Sequence, residues 1–406
     1  MSGIAAGVLA AWLATLADPA SAAASGACSP PAAHAPRAVS GLSLLGVQSW
    51  PHETAGAAAS VPGADRPAGN AAGLLRHFGG ISGIDHDPRS GRWWLLSDDR
   101  SEHAPARVYE ATLPISGGGP GQPELLAVHT LRRADGQPFA RFGSADSPRN
   151  ADVADGEALR LDPCSNALVW ASEGDPAHGH PAVVHRSDRS GRHLGTWPLP
   201  SVLSPSPDGR SGSRPNRSFE GLAFTPDGSA LWLALEAPLL QDGPLPTAAQ
   251  GAALRFTRLA REGGAQQYVY PLEPITHEAR GGQRRADQGV SEILAVDADT
   301  LLVVERGGHE VDEGVFAFSV RLYLAHSGGA DDVLAWPTLA GRQPKMMAKH
   351  LLLDLATLTP GPVDNIEAAA WGPRLADGRA TLLLVSDDNF SPRQRTQWWL
   401  FAVDER

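Results

Sequence analysis

Eight carboxylates recur at equivalent places along the chain. Glu157, Glu220 and Glu367 each open a short apolar run, and Asp98, Glu173, Glu236, Glu305 and Asp387 each close one. Gathered at one point, such a set would repel strongly and would need cations, arginines or protons to be tolerable. Clustered hard oxygens suit Ca2+, which takes about six to eight of them at roughly 2.3 to 2.6 Å. Zinc is a poorer match, since no His/Cys constellation is present and the tight pair His178 and His180 reads as a solvated loop. The basic residues placed to reach the same point are Arg306, directly after Glu305, and Arg393 and Arg395. They are candidates for binding a substrate phosphate in a bidentate fork, or for neutralising the acids. No side chain stands out as a catalytic group. The rival reading is architectural: strand-end carboxylates cap neighbouring backbone N–H groups and hold the structure together.

The positions of these acids are set by a repeated hairpin. From Phe219 to Glu236 an apolar run following Glu220 reaches the turn Thr225-Pro226-Asp227-Gly228, and a second run ends on Glu236. Proline supplies a fixed φ and glycine a positive one, so the chain reverses there. The step of sixteen residues between the two acids recurs from Glu157 to Glu173, across the turn Asp162-Pro163-Cys164-Ser165-Asn166. Three more copies run from Gly80 to Asp98, from Gly289 to Glu305 and from Asn365 to Asp387, with Ser82 and Ser291 in place of the first acid in two of them. The aligned positions Ser82, Glu157, Glu220, Ser291 and Glu367 are 75, 63, 71 and 76 residues apart. That spacing is too long for a solenoid turn and suits a four-stranded propeller blade with loops. Hairpins are marginal alone, so the blades must pack face to face. Inner hairpins would bring all eight acids to one mouth of the central channel, with the turns at the other end.

The expected fold is therefore all-β, a propeller of five to six four-stranded blades. A hydrophobic content of 42% with 44 Gly and 34 Pro fits many short strands and turns. Val39 to Trp50 and Gln397 to Val403 read as the first and last strands, whose pairing would close the ring and remove an exposed edge. A net charge of -11 argues against nucleic acid or anionic lipid as partner and leaves a small molecule. No G-x-S-x-G elbow, P-loop or dinucleotide fingerprint is present. Oligomeric state is not legible.

Three segments follow from this reading: a signal peptide over 1–24, a Pro/Ala-rich linker over 25–38 and the propeller over 39–406. The apolar stretch Ile4 to Ala17 is too short for a transmembrane segment and precedes a run of small residues, as an export signal does, although it lacks Lys and Arg before it. Export to the periplasm or the medium is expected. Ser25-Gly26-Ala27-Cys28 is similar to a lipoprotein box, with serine where leucine is usual. Cys28 and Cys164, the two cysteines, are either one disulfide or two thiols.

Gly80-Ile81-Ser82-Gly83, Glu305-Arg306, Asn365-Ile366-Glu367-Ala368-Ala369 and Ser386-Asp387-Asp388-Asn389-Phe390 resemble the phytase-like family, also described as esterase-like activity of phytase. The likeness spans about residues 75 to 405, and the Ser-Asp-Asp-Asn-Phe run is its most specific piece. Glu220-Gly221-Leu222 is also similar to the blade start of β-propeller phytases, although the lysines those enzymes place around phosphate have no clear counterparts. The resemblance implies a calcium-dependent phosphoesterase or esterase-like hydrolase with a phosphate ester as substrate. The alternative is a non-catalytic propeller that binds a ligand or partner and whose acids are structural.

Overall fold

The computed structural model describes residues 28, 35–51, 77–143, 153–174, 181–206, 208–277, 285–358 and 361–405. The expected signal segment 1–24, most of the linker and the pair His178 and His180 lie outside them. Among the described residues there is no α-helix, and none of the helical segments is long and apolar enough to cross a membrane.

Strand β1 (Gly41–Pro51) comes first in the chain. The first blade follows, with β2 (Ile81–Asp87), β3 (Arg92–Ser97), β4 (Arg107–Thr112), a small hairpin of β5 (Ile115–Ser116) and β6 (Gly119–Pro120), and β7 (Glu124–Thr130). The second holds β8 (Gly156–Leu161), β9 (Leu168–Ser172), β10 (Val183–Ser187) and β11 (His193–Thr196), and the third β12 (Phe219–Phe224), β13 (Ala230–Leu235), β14 (Ala252–Ala260) and β15 (Ala265–Leu272). The fourth holds β16 (Ala286–Ala295), β17 (Thr300–Asp312), β18 (Val315–His326) and β19 (Ala348–Asp354). In the fifth, β20 (Asn365–Gly372), β21 (Thr381–Asp387) and β22 (Arg395–Asp404) are completed by β1, which pairs antiparallel with β22 from Gly41 opposite Asp404 to Pro51 opposite Arg395. Each blade is a four-stranded antiparallel sheet. The inner strands touch in the closed cycle β2, β8, β12, β16, β20 and back to β2, so the ring has five blades.

Alternation within the strands explains how the ring is filled. Each inner hairpin is apolar on both faces and must pack against a blade on either side. Five buried clusters do this, one per interface, and large aromatics anchor them: Trp93 and Trp398 between the fifth and first blades, Trp94 and Trp170 between the first and second, and Trp232 and Phe256 between the third and fourth. Cys28 is disulfide-bonded to Cys164 in the β8–β9 turn, which settles the alternatives left by the sequence and leaves no thiol on Cys28 for a lipid. The bond sits against Gly228 in the β12–β13 turn. A Cβ there would come within 2.9 Å of both sulfurs, and its φ of +68° already favours glycine.

Candidate functional site

One irregularity positions the first ring of side chains. In all five inner hairpins the antiparallel register slips by one residue, and the residues left over are Ser82, Glu157, Glu220, Ser291 and Glu367. A β-bulge leaves the extra residue unpaired and re-aims its side chain. The aligned positions of the sequence repeat are therefore five bulges around one axis. All five are buried. Where serine replaces the acid it bonds to the fifth blade: Ser82 Oγ donates to Glu367 Oε2 at 2.9 Å, and Ser291 Oγ to the carbonyl of Ile366 at 2.9 Å. A carboxylate at either place would face the fifth blade's own acid or carbonyl.

The second ring comes from the ends of the returning strands and corrects one assignment. Opposite the residue two before each bulge stand Asp98, Glu173, Glu236, Arg306 and Asp387. In the fourth blade the pairing is Gly289 with Arg306 and Val290 with Glu305, so Glu305 is one residue short of the ring. A single step along a strand turns the side chain to the other face. Glu305 instead accepts from Lys349 Nζ at 2.6 Å and the Tyr270 hydroxyl at 2.7 Å, in an inter-blade network outside the mouth.

The mouth thus joins Glu157, Glu220 and Glu367 with Asp98, Glu173, Glu236 and Asp387. Asp155, two residues before its bulge, completes a tight triad with Glu157 and Glu173, and Asp98, Glu367 and Asp387 form another; within each triad one oxygen per residue lies within 4.8 Å of the others. Burial and then mutual repulsion push the carboxyls of Asp98, Glu157, Glu173, Glu220 and Asp387 well above the usual range. Glu236 is raised by burial to about 7, held down by Arg306 and Arg217. Arg306 contacts Glu236 at 3.3 Å, Glu367 at 3.4 Å and Asn365 Oδ1 at 2.6 Å. Burial works against its charge, but Glu367, Glu236, Asp287 and Glu220 more than reverse this and raise its pKa.

Of the three arginines read from the sequence, Arg306 meets the ring. Arg393 is exposed and donates to the carbonyl of Glu313 at 3.1 Å, and Arg395 is exposed at the start of β22. Arg217 was missed; it lies 3.8 Å from Glu236 and 3.4 Å from Asp287. Past the bulges a buried pair joins the second and fourth blades, with Arg160 of β8 2.7 Å from Glu292 of β16 and donating to the carbonyls of Ile84 and Ile293, both at 2.9 Å. This pair also escaped the sequence reading, because nothing in it repeats.

The Ser-Asp-Asp-Asn-Phe run lies at the rim, where the last blade meets the first. Asp388 accepts from the Gly80 amide at 3.0 Å, and Phe390 packs over Gly80, where a Cβ would meet the ring at 2.5 Å and Asp98 Oδ1 at 2.1 Å. Gly80 has φ +63°, so both its conformation and its neighbours require glycine. The two segments that carry the resemblance are thus halves of one joint. Residues 76–390 match the family profile described as phytase-like, esterase-like activity of phytase. The chain belongs to the phytase-like family. Membership and architecture together make it a hydrolase-like propeller at that coarse level. No curated protein is significantly similar to this chain. Among solved structures, that of an ancestral GH74 enzyme is similar with a TM-score of 0.30 at 12% identity, over 79% of this phytase-like chain and 35% of the other.

Proposed function

We propose that the phytase-like mouth is a calcium site at which an anionic ester, of the phosphate-ester class, is bound and hydrolysed. The observation that carries this reading is the pair of carboxylate triads with oxygens within 4.8 Å of one another. Two oxygens on one Ca2+ at roughly 2.3 to 2.6 Å can be at most about 5 Å apart, so either triad fits the ion. Asp98 Oδ1 and Asp387 Oδ2 are buried without a hydrogen-bond partner, which is the state of a ligand atom rather than of a cap. The donor set is all oxygen, which disfavours zinc.

Calcium, when bound, supplies the positive charge that draws anionic ester oxygens into a cup otherwise closed to them. The chain's own residues do the rest. Arg306, 3.4 Å from Glu367 and 3.3 Å from Glu236, offers a guanidinium beside one triad as a donor for the ester's anionic oxygens. Arg160 and Glu292 tie the second and fourth blades together beneath it. The disulfide is compatible with export to an oxidising compartment.

A second reading has its own support. Glu173 accepts from the Ser218 amide of the next blade, and Glu367 accepts from Ser82 and from Asn365 Nδ2 at 2.8 Å, so these acids also tie blades together. On that reading the propeller binds without turnover. The test is calcium binding to the purified protein by calorimetry, then hydrolysis of a panel of phosphomonoesters, phosphodiesters and carboxylic esters with calcium present. Calcium binding with turnover of any class supports the hydrolase. Calcium binding without turnover supports the binder, and no calcium binding sinks the metal site altogether.

A further inference from the structure

Where the second and third blades meet, a cavity of about 480 Å3 falls within the range of about 300 to 1,000 Å3 usual for small-molecule sites. One wall is Arg186 of β10 with the segment 196–200, and the other is the β14–β15 hairpin with Leu259 and Arg261; Leu334, from the loop between β18 and β19, joins them. No residue of the mouth lines it. Arg261 reaches from this wall to Asp162 in the β8–β9 turn, which places the cavity toward the turn end of the hairpins.

The walls combine apolar surface with positive charge and hold no acid: apart from Thr196, every lining residue is apolar or arginine. The guanidinium of Arg261 is already engaged, by Asp162 at 2.7 and 3.1 Å and by the Gly228 carbonyl at 2.7 Å. That of Arg186 is not. Arg186 follows Val184 by two residues and so shares its face of β10, the face that packs toward the third blade. It has no ion pair or hydrogen bond among the described residues, and its Nε is buried without a partner. The Trp197 Nε1 beside it is buried and unpartnered as well, and the Trp197 ring leans on Phe224 with centroids 6.1 Å apart. Two orphaned donors on one cavity wall are unusual, since a buried donor left unsatisfied is costly. An unpaired arginine is the more unusual in a chain of net charge -11.

We propose that this cavity binds a small carboxylate with an apolar body, its carboxylate on Arg186 and its body against Trp197, Leu199 and Leu259. A guanidinium fork matches the two oxygens of a carboxylate, and a single free guanidinium balances a single negative charge. The aromatic and aliphatic wall takes a flat apolar body. An inorganic phosphate has no apolar part to set against that wall and carries more charge than one arginine balances. The site is separate from the mouth and does not depend on what the mouth does.

The test is calorimetry on full-length, calcium-free protein with three probes: 3-phenylpropionate, its neutral analogue 3-phenylpropionamide, and acetate. The phenylpropionate should bind at least ~10-fold more tightly than the amide, which lacks the charge, and than acetate, which lacks the body. Arg186→Gln should bring the acid and the amide to within about 2-fold of each other without moving the melting temperature, because Arg186 has no partner to lose. Trp197→Leu should weaken acid and amide alike and leave their ratio in place. Calcium should change none of these affinities. Acetate or the amide binding as tightly as the phenylpropionate overturns the proposal, as does an acid preference that survives in Arg186→Gln. Binding of the acid that appears only with calcium also overturns it, because the carboxylate is then held at the mouth.

Discussion

The two ends of the inner hairpins carry the same residue type in opposite electrostatic states. At the turn end, partial burial works against the charge of Asp162, but Arg261, Ser165 and the Cys164 amide outweigh it and its pKa falls. Arg261 grips that carboxylate at 2.7 and 3.1 Å and also donates to the Gly228 carbonyl at 2.7 Å. Asp87 and Asp227 are lowered in the same way, by hydroxyl and amide donors from their own turns together with, at Asp87, Arg189. At the mouth burial and neighbouring acids push carboxyls up. A turn offers donors within three residues of the acid, whereas five bulges on one axis offer each acid chiefly other acids. The turn-end carboxylates have their donors in place, whereas the proposed calcium would supply what the mouth acids lack.

The largest effect tests the turn end alone. Replacing Cys28 by Ser opens a loop whose ends are 136 residues apart. The expected loss is about 2 to 4 kcal/mol of stability, read from denaturant unfolding. Calcium affinity should not move, because the bond lies at the opposite face. A parallel loss of calcium affinity would show that the two ends are coupled and would break the contrast.

Next comes the mouth. Glu157→Gln or Glu220→Gln should lower calcium affinity by ~10-fold or more, about 1.4 kcal/mol, and should raise the melting temperature of calcium-free protein by removing one repelling charge. Opposite signs in the two readouts are the signature of a metal ligand. A cap would lose stability with or without calcium.

The pH dependence follows from the same shifts. A carboxyl raised in the folded state contributes stability that is present below its unfolded pKa and lost as pH rises through the folded value. For Glu236 that window runs from 4.5 to about 7, and the other raised mouth acids act in the same direction. Calcium-free protein should therefore melt at a lower temperature at pH 8 than at pH 5, with calcium shrinking the difference. The turn-end aspartates act the other way, since their stability is lost only as pH falls below the ordinary aspartate value of 3.8. A melting temperature that is flat from pH 5 to 8 without calcium would mean the mouth acids are neutralised by some other means.

The repeat was legible because a bulge and a turn each impose residue types. A serine or glutamate at the bulge and an aspartate in the following turn recur in every inner hairpin, so strands, blade faces and closure by the N-terminal strand could all be anticipated. The blade count needed the ring to close. Register was the weak point: Glu305 matches the motif by type, but the fourth hairpin reaches the mouth one residue later, at Arg306, and a pattern of residue types cannot see a shift of one. Arg160 and Glu292 were invisible for a different reason. They meet across the axis from blades that are far apart in sequence, and each occurs once.

The smallest effect is the most discriminating. Asp227 belongs to the same hairpin as Glu220 and is also an acid, yet its Oδ1 accepts from Thr225 Oγ1 at 2.6 Å, the Ser229 amide at 3.0 Å and Ser229 Oγ at 2.8 Å. All three donors are local. Asp227→Asn keeps a carbonyl oxygen that can accept from the same groups and a side chain suited to a turn, so the cost in stability should stay under about 1 kcal/mol. Calcium affinity should be unchanged, because turn and mouth lie at opposite ends of strands six residues long. Titrating Asp227→Asn beside Glu220→Gln removes one carboxylate charge from one hairpin at each end in turn. If calcium affinity falls equally in both, the ion responds to the net charge of the protein rather than to a site, and the asymmetry between the two ends has no functional meaning.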